Sequence, residues 1–228
     1  MNRETYERLE SHMRSQMNDS AHDTEHVYRV LYAALDIAAH EDGVDYGVLI
    51  AACLLHDIGR QEQYETGVCH AAAGAEKAHR FLTEQGFGQA FAKQVAACIR
   101  THRYRGGSRP ESLEAKILYD ADKLDVTGAI GIARTLLYQG QVGEPLYSLA
   151  SDGRVSDGAG DKEPSFFEEY KGKLEKIYAQ FYTKRGAEAA AGRRKAAEAF
   201  YGSLLEEVRP VYETGSKRLN RALDSAAR

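Results

Sequence analysis

Apolar residues recur at three- and four-residue intervals through most of the chain, and polar residues fill the positions between them. This spacing predicts a helix over residues 3–17, helices over 70–85 and 88–101, and one or two helices over 112–137. Another helix begins after Asp23 or Thr24, either of which supplies its cap, and lasts until Gly43. Its buried face is predicted to consist of Val27, Val30, Leu31, Ala34 and Ala38.

The run Val48–Leu55 is apolar on every side, and periodicity alone does not separate a central helix from a buried strand. Its alanine and cysteine positions, and the absence of partner strands, favour the helix. Such a helix delivers His56 and Asp57 at its C-terminal end, and Gly59 then allows the chain to turn.

Residues 140–163 are dense in Gly, Ser, Asp and Pro, which predicts a loop whose role stays open; a mobile segment over a site is one option. After Pro164 we expect two long amphipathic helices that extend to about residue 211. Their apolar faces are predicted to hold, in the first, Phe166, Phe167, Tyr170, Leu174, Ile177 and Phe181, and, in the second, Ala197, Phe200, Tyr201, Leu204 and Val208.

Composition narrows the classes of function. With 228 residues the chain is predicted to form one sizeable helical domain over residues 1–228. The net charge of -4 provides no overall basic field, so long nucleic acids are disfavoured as partners. Three cysteines without CxxC spacing indicate reduced thiols and a cytoplasmic location, and no apolar run approaches the roughly 18 residues of a membrane span.

A set of histidines and aspartates stands beside these apolar stretches. An ionised Asp57, emerging from an apolar helix, would cost several kcal/mol if unpaired, so it needs a cation, a metal ion or a cage of hydrogen bonds, and a metal ion is the simplest of these. Mixed imidazole and carboxylate ligands suit manganese, iron, cobalt or magnesium, whereas a structural zinc more often recruits cysteine. The candidate residues are His26, His56, Asp57, His70, His102 and Asp122.

Each histidine taken singly is more often a hydrogen-bonded structural residue than a ligand. A second His-Asp pair, His22-Asp23, precedes a helix, where Asp23 has a sufficient role as a cap. We therefore assign that pair, with His12, His40 and His79, to structural or exposed positions.

The order of the candidates resembles a known family. The strings HVYRV, AACLLHDIGR and ILYDADKLD are similar to those of the HD-domain superfamily of metal-dependent phosphohydrolases, over about residues 20–137. DADKLDVTGAIGIARTL resembles a bacterial subgroup for which nucleotide pyrophosphohydrolase activity has been proposed. The chain lacks the paired His-His and GYP strings of the cyclic-dinucleotide phosphodiesterase branch. The resemblance implies an all-α HD-domain bundle with a C-terminal helical extension at about residues 164–211.

The same resemblance implies a divalent metal ion held by His26, His56, Asp57 and Asp122. Manganese is favoured, with magnesium, cobalt, iron, nickel and zinc as alternatives. His70 and His102 either bind a second metal or contact a phosphate, and the phosphate role is favoured. The chemistry of a metal-bound water makes Asp57 the natural residue to orient or deprotonate that water, and Lys123, adjacent to Asp122, is placed to neutralise developing charge. Arg60 is a candidate to bind further phosphates, and the loop residues Arg103, Arg105 and Arg109 either do the same or form a solvated surface.

The predicted function is hydrolysis of a phosphoanhydride or phosphoester in a nucleotide, with a nucleoside triphosphate favoured. Two alternatives remain open: an HD-fold di-iron oxygenase and a nucleotide-sensing module without turnover. The predicted partner is a small phosphorylated substrate, without long nucleic acid or membrane. A homodimer through the C-terminal helices is a further expectation.

Overall fold

The computed structural model describes residues 1–17, 24–103 and 109–226, and their fold is all-α, as predicted. An isolated bridge between Leu149 and Val155 is the only extended pairing within these ranges. The helices are α1 (Arg3–Gln16), α2 (Thr24–Ala38), α3 (Tyr46–Leu55), α4 (Arg60–Thr66), α5 (His70–Glu84), α6 (Gln89–Thr101), α7 (Leu113–Leu124), α8 (Gly128–Val142), α9 (Phe166–Glu169) and α10 (Lys184–Ala226). The predicted cap Asp23 and the pair His22-Asp23 lie outside the described residues. None of the described helices is both long enough and apolar enough to cross a bilayer.

The chain divides into two compact units. Unit 1 comprises Met1–Asp125 and Phe181–Ala189, and unit 2 comprises Val126–Gln180 and Ala190–Arg228. The expectation of one domain over residues 1–228 stays a prediction.

Helix α3 is the centre of unit 1. It contacts α1, α2, α6 and α7, and nearly all of its residues from Val48 to Leu55 are buried. The Asp45 side chain caps it by accepting hydrogen bonds from the Gly47 and Val48 amides. The apolar run is therefore a helix, and it ends at the predicted His56-Asp57 pair.

The turn after this pair packs directly on the start of α5. A Cβ atom at Gly59 would lie 2.4 Å from the His70 carbonyl oxygen and 2.4 Å from the Gly74 amide nitrogen, so only glycine fits there. This close approach brings His70 towards Asp57. Helix α4, which follows the turn, buries none of its residues, and this is why hydrophobic spacing did not predict it.

Asp120 fixes the segment that returns to unit 1. Its buried carboxylate accepts hydrogen bonds from the Tyr182 amide (2.9 Å), the Thr183 amide (2.7 Å) and the Thr183 hydroxyl (2.7 Å). Helix α10 begins at the next residue, Lys184. A carboxylate of α7 thus acts as the anchor for a backbone segment more than 60 residues away.

The prediction of a long helix directly after Pro164 is wrong. The four-residue helix α9 passes into a π turn at Tyr170–Leu174 and a 3-10 turn at Ile177–Ala179. The chain leaves the helical path before the amides of Tyr182 and Thr183, which bond to Asp120 rather than continue a helix. The second predicted helix is α10, which continues through Pro210 to Ala226, beyond the expected bound near 211.

Unit 2 has its own apolar core, built from α8, the loop before α9, α9 with its π turn, and α10. The predicted loop over residues 140–163 begins after α8 ends at Val142. The core residues are Ile132, Val155, Phe166, Phe167, Tyr170, Leu174, Ala197 and Tyr201.

Candidate metal centre

All six predicted histidines and aspartates converge inside unit 1. They are His26 in α2, His56 and Asp57 directly after α3, His70 at the start of α5, His102 directly after α6, and Asp122 near the end of α7. Five are buried, and only the Asp122 side chain is partly open, with 24% of it exposed. Helix ends and turns from four places in the sequence therefore meet α2 at one point.

Two of the imidazoles are oriented by carbonyls of the helix that precedes them. His56 Nδ1 lies 2.8 Å from the Cys53 carbonyl oxygen, and His102 Nδ1 lies 2.6 Å from the Ile99 carbonyl oxygen. A carbonyl only accepts hydrogen bonds, so each Nδ1 carries the hydrogen. The lone pair of each Nε2 therefore points into the site.

The other two imidazoles are oriented by side chains. His26 Nδ1 donates to Asp125 Oδ2 at 2.7 Å, and His70 Nδ1 donates to the Gln63 side-chain oxygen. Arg29 holds the Asp125 carboxylate through two hydrogen bonds, of 2.8 and 3.0 Å. A carboxylate behind an imidazole is the usual way in which proteins fix and strengthen a histidine ligand.

The Asp57 carboxylate lies between the four imidazoles. Its Oδ2 is 3.5 Å from His26 Nε2 and 3.6 Å from His56 Nε2. Its Oδ1 is 3.5 Å from His70 Nε2 and 3.6 Å from His102 Nε2. These separations exceed a normal hydrogen bond, and neither buried oxygen of Asp57 accepts one from the described residues.

The donor atoms form two sets, each able to hold a cation. The first set is His26, His56 and Asp122; the second set is Asp57, His70 and His102, and the donor atoms within each set lie within 4.8 Å of one another. Nε2 atoms are 3.3 Å apart in the first set and 3.2 Å apart in the second. Ligand bonds of about 2.0–2.2 Å place neighbouring donors roughly 3 Å apart, so these spacings fit a divalent ion. The two unpartnered oxygens of Asp57 fit the same conclusion.

Comparison with known proteins identifies the family of this chain. The HD domain model matches residues 24–127. The curated YpgQ of Bacillus subtilis, an uncharacterized protein, is 32% identical over 132 residues, which span 56% of this chain and 62% of YpgQ. A crystal structure of a predicted HD superfamily hydrolase from an uncultured Thermotogales bacterium is 30% identical, with a TM-score of 0.58, covering 90% of this chain and 92% of that one.

The chain belongs to the HD superfamily of hydrolases. The crystal structure of B. subtilis YpgQ in complex with ADP is 25% identical, with a TM-score of 0.69 over 89% of this chain and 97% of that one. The resemblance drawn from the sequence is thus confirmed at the level of the superfamily.

Charge states in the HD centre suit metal binding. Burial lowers the pKa of His56 to about 4 and the pKa of His70 to about 2, so both imidazoles are neutral at pH 7. Burial opposes ionisation of Asp57, yet Arg60 and His56 hold its pKa well below the ordinary value. Burial likewise opposes ionisation of Asp122, and His26 is the main group that keeps the pKa of Asp122 low. Neutral imidazoles and ionised carboxylates are the forms that bind metals.

The predicted cationic residues lie in different surroundings. Arg60 Nε is 3.0 Å from Asp57 Oδ1, and the Arg60 side chain is 21% exposed. Arg103 donates to the Cys69 sulfur at 3.5 Å, next to His70. Lys123 is buried with its ammonium 3.3 Å from the centroid of the Tyr119 ring. Arg109 is exposed, and Arg105 lies outside the described residues.

Sequence reasoning assigned no role to Asp120, Asp125 or Gln63. Asp125 lies three residues beyond Asp122, so the spacing places both near the end of α7. This spacing was the available signal, but the partner His26 is 99 residues away in the sequence. Gln63 gave no signal, because α4 was not predicted.

Proposed function

We propose that this HD-superfamily hydrolase is metal-dependent and cleaves a phosphoanhydride or phosphoester bond of a nucleotide, with a nucleoside triphosphate as the favoured substrate. The observation that carries the proposal is the buried Asp57 carboxylate, which has four Nε2 atoms around it and no hydrogen bond. Arg60 Nε, 3.0 Å from Oδ1, compensates this charge on one side only, and Oδ2 faces the imidazoles of His26 and His56, so the buried carboxylate fits a further cation.

The residues present would hold one divalent ion at the first set and another at the second set, with Asp57 facing both. This arrangement favours the second-metal role of His70 and His102 over phosphate contact. Both rings are buried and direct Nε2 at Asp57 Oδ1. Bound metal in such a site lowers the pKa of water and polarises phosphoryl oxygens.

The side chains of this centre have separate tasks in the proposal. The Nδ1 hydrogen bonds of the four histidines keep every Nε2 lone pair directed inwards. Asp57 serves as a fixed anion that orients water, since its low pKa makes it a poor store for a proton. Arg60 and Arg103 would bind phosphate oxygens, because guanidinium groups match them with paired N–H donors. Lys123, the residue of α7 that follows Asp122, would contribute positive charge.

A nucleotide is favoured over other phosphate esters for two reasons. The DADKLDVTGAIGIARTL string resembles a subgroup with proposed nucleotide pyrophosphohydrolase activity. In addition, the related YpgQ has been crystallised with ADP, which supports a nucleotide pocket in this chain as well.

The test is a nucleotide panel with metal-stripped protein to which Mn²⁺ is returned. We expect release of phosphate or pyrophosphate with Mn²⁺ and none with chelator, and Asp57→Asn serves as the matched inactive variant. Tight nucleotide binding without product at saturating Mn²⁺ would replace the hydrolase proposal with a sensing module.

A second candidate is an oxygenase, because two histidine-rich sets around one carboxylate also suit a pair of iron ions. Dioxygen uptake by the Fe²⁺-loaded protein, without phosphate release from any nucleotide, would favour that reading.

A further inference from the structure

The two ligand sets differ in the groups that stand behind their histidines. Behind the first set stands Asp125, whose carboxylate is bonded to His26 and is almost fully buried. The histidines of the second set are bonded to neutral groups, the Gln63 amide and the Ile99 carbonyl. Arg29 offsets the charge of this carboxylate, so what distinguishes the first set is a histidine with a carboxylate behind it, which makes His26 a stronger ligand.

A guanidinium group already occupies one side of the second set. Arg60 Nε lies 3.0 Å from Asp57 Oδ1, the same oxygen that faces His70 and His102. This Nε makes no hydrogen bond to the described residues, so Arg60 contacts Asp57 by charge without good hydrogen-bond alignment. A positive charge at this position repels a cation that would bind Oδ1.

Arg60 is also placed to leave this contact. It lies at the start of α4, which buries none of its residues, and its side chain is partly exposed. A phosphate oxygen offers a guanidinium two aligned hydrogen bonds, which the Asp57 contact does not provide. A phosphate that reaches Arg60 therefore competes with Asp57 Oδ1 for the guanidinium group.

From these contacts we propose that the two sets fill in a fixed order. In the substrate-free protein the first set holds one ion tightly, and Arg60 keeps the affinity of the second set low. A phosphate group draws Arg60 away from Asp57 Oδ1, and the second set then binds its ion. This inference rests on the proposed function, since it assigns the phosphate of the substrate as the trigger.

The experiment counts Mn²⁺ ions bound to the metal-stripped protein by electron paramagnetic resonance and calorimetry, without turnover. Wild type is expected to show one tight equivalent and one weaker by at least about tenfold, and excess inorganic phosphate should tighten the weaker one. Asp125→Asn should weaken the tight equivalent about 10- to 100-fold, the range typical of a lost outer-sphere partner.

Substitutions of Arg60 test the order directly. Arg60→Gln should tighten the weak equivalent at least about tenfold and remove its response to phosphate, whereas Arg60→Lys should keep the equivalent weak but respond less to phosphate, because an ammonium group lacks the paired donors. Arg100→Gln is the matched control, since Arg100 is half exposed on α6 and pairs only loosely with Glu76. Two equal equivalents in wild type, or an unchanged weak equivalent in Arg60→Gln, would overturn the inference.

Failure of this inference is separable from failure of the proposed function. Ordered filling without hydrolysis of any nucleotide leaves the inference standing and rejects the hydrolase. Hydrolysis of a nucleotide by protein that binds two equal Mn²⁺ equivalents supports the hydrolase and rejects the inference.

Discussion

Replacing Asp120 with alanine should destabilise unit 1 more than any other single loss of an aspartate outside the metal centre. The carboxylate accepts three hydrogen bonds, and Thr183, which provides two of them, is 6% exposed. Each buried donor left without an acceptor costs about 1–3 kcal/mol, so the two donors of Thr183 give roughly 2–6 kcal/mol. The Tyr182 amide is expected to add less, because Tyr182 is 43% exposed.

Removal of the Asp120 carboxylate also makes one favourable contribution to the free energy of unfolding. Burial raises the pKa of Asp120, which means that the folded protein holds this charge at a cost. We therefore expect a net loss in unfolding free energy of about 2–5 kcal/mol, a large share of the roughly 5–15 kcal/mol that stabilises a domain.

Urea unfolding followed by far-UV circular dichroism measures this loss, in EDTA so that metal occupancy does not contribute. Asp36→Ala is the matched control, since Asp36 pairs with Arg185 of the same returning segment but at an exposed position. Its unfolding midpoint should stay close to that of wild type. Equal shifts in the two variants would refute the reasoning from burial.

Three further outcomes are expected. Asp57→Ala should remove the ion of the second set, to which Asp57 belongs, and abolish activity while the helical circular dichroism persists; two ions retained by the purified variant would refute its role as a ligand. The metal-stripped protein should lose stability as pH falls from about 6.5 towards 4, because burial depresses the pKa of His56 and His70 in the folded state while the unfolded chain takes up protons; a flat unfolding midpoint across this range would contradict those shifts. If the C-terminal helices pair two chains, light scattering should report a dimer for wild type and a monomer for Leu219→Asp or Leu223→Asp, since both leucines are about 60% exposed on α10.

The sequence predicted the elements whose pattern is local. An unbroken apolar run predicts helix α3, and the end of that run gives the position of the His56-Asp57 pair. His26, His70, His102 and Asp122 were selected by their order along the chain, and the structure places them together.

The features that the sequence did not predict depend on contacts between residues far apart in the chain. The roles of Asp120 and Asp125 are set by Thr183 and His26, which lie 63 and 99 residues away. The apolar spacing after Pro164 fits a helix equally well whether or not the chain must break away to meet Asp120. Local periodicity carries no information about a contact with a residue so far away in the sequence.

The four histidines differ in how well their orientation tolerates substitution of the residues that hold them. His56 and His102 rely on main-chain oxygens of Cys53 and Ile99, which every amino acid possesses. His26 relies on the Asp125 side chain, and His70 on Gln63. A library of random variants should therefore keep its metal when residues 53 and 99 change to others of similar size, and should lose affinity when residues 63 and 125 change. Two of the four histidines are therefore oriented by the helix backbone whatever the neighbouring side chains are, and the other two depend on the identity of one side chain each.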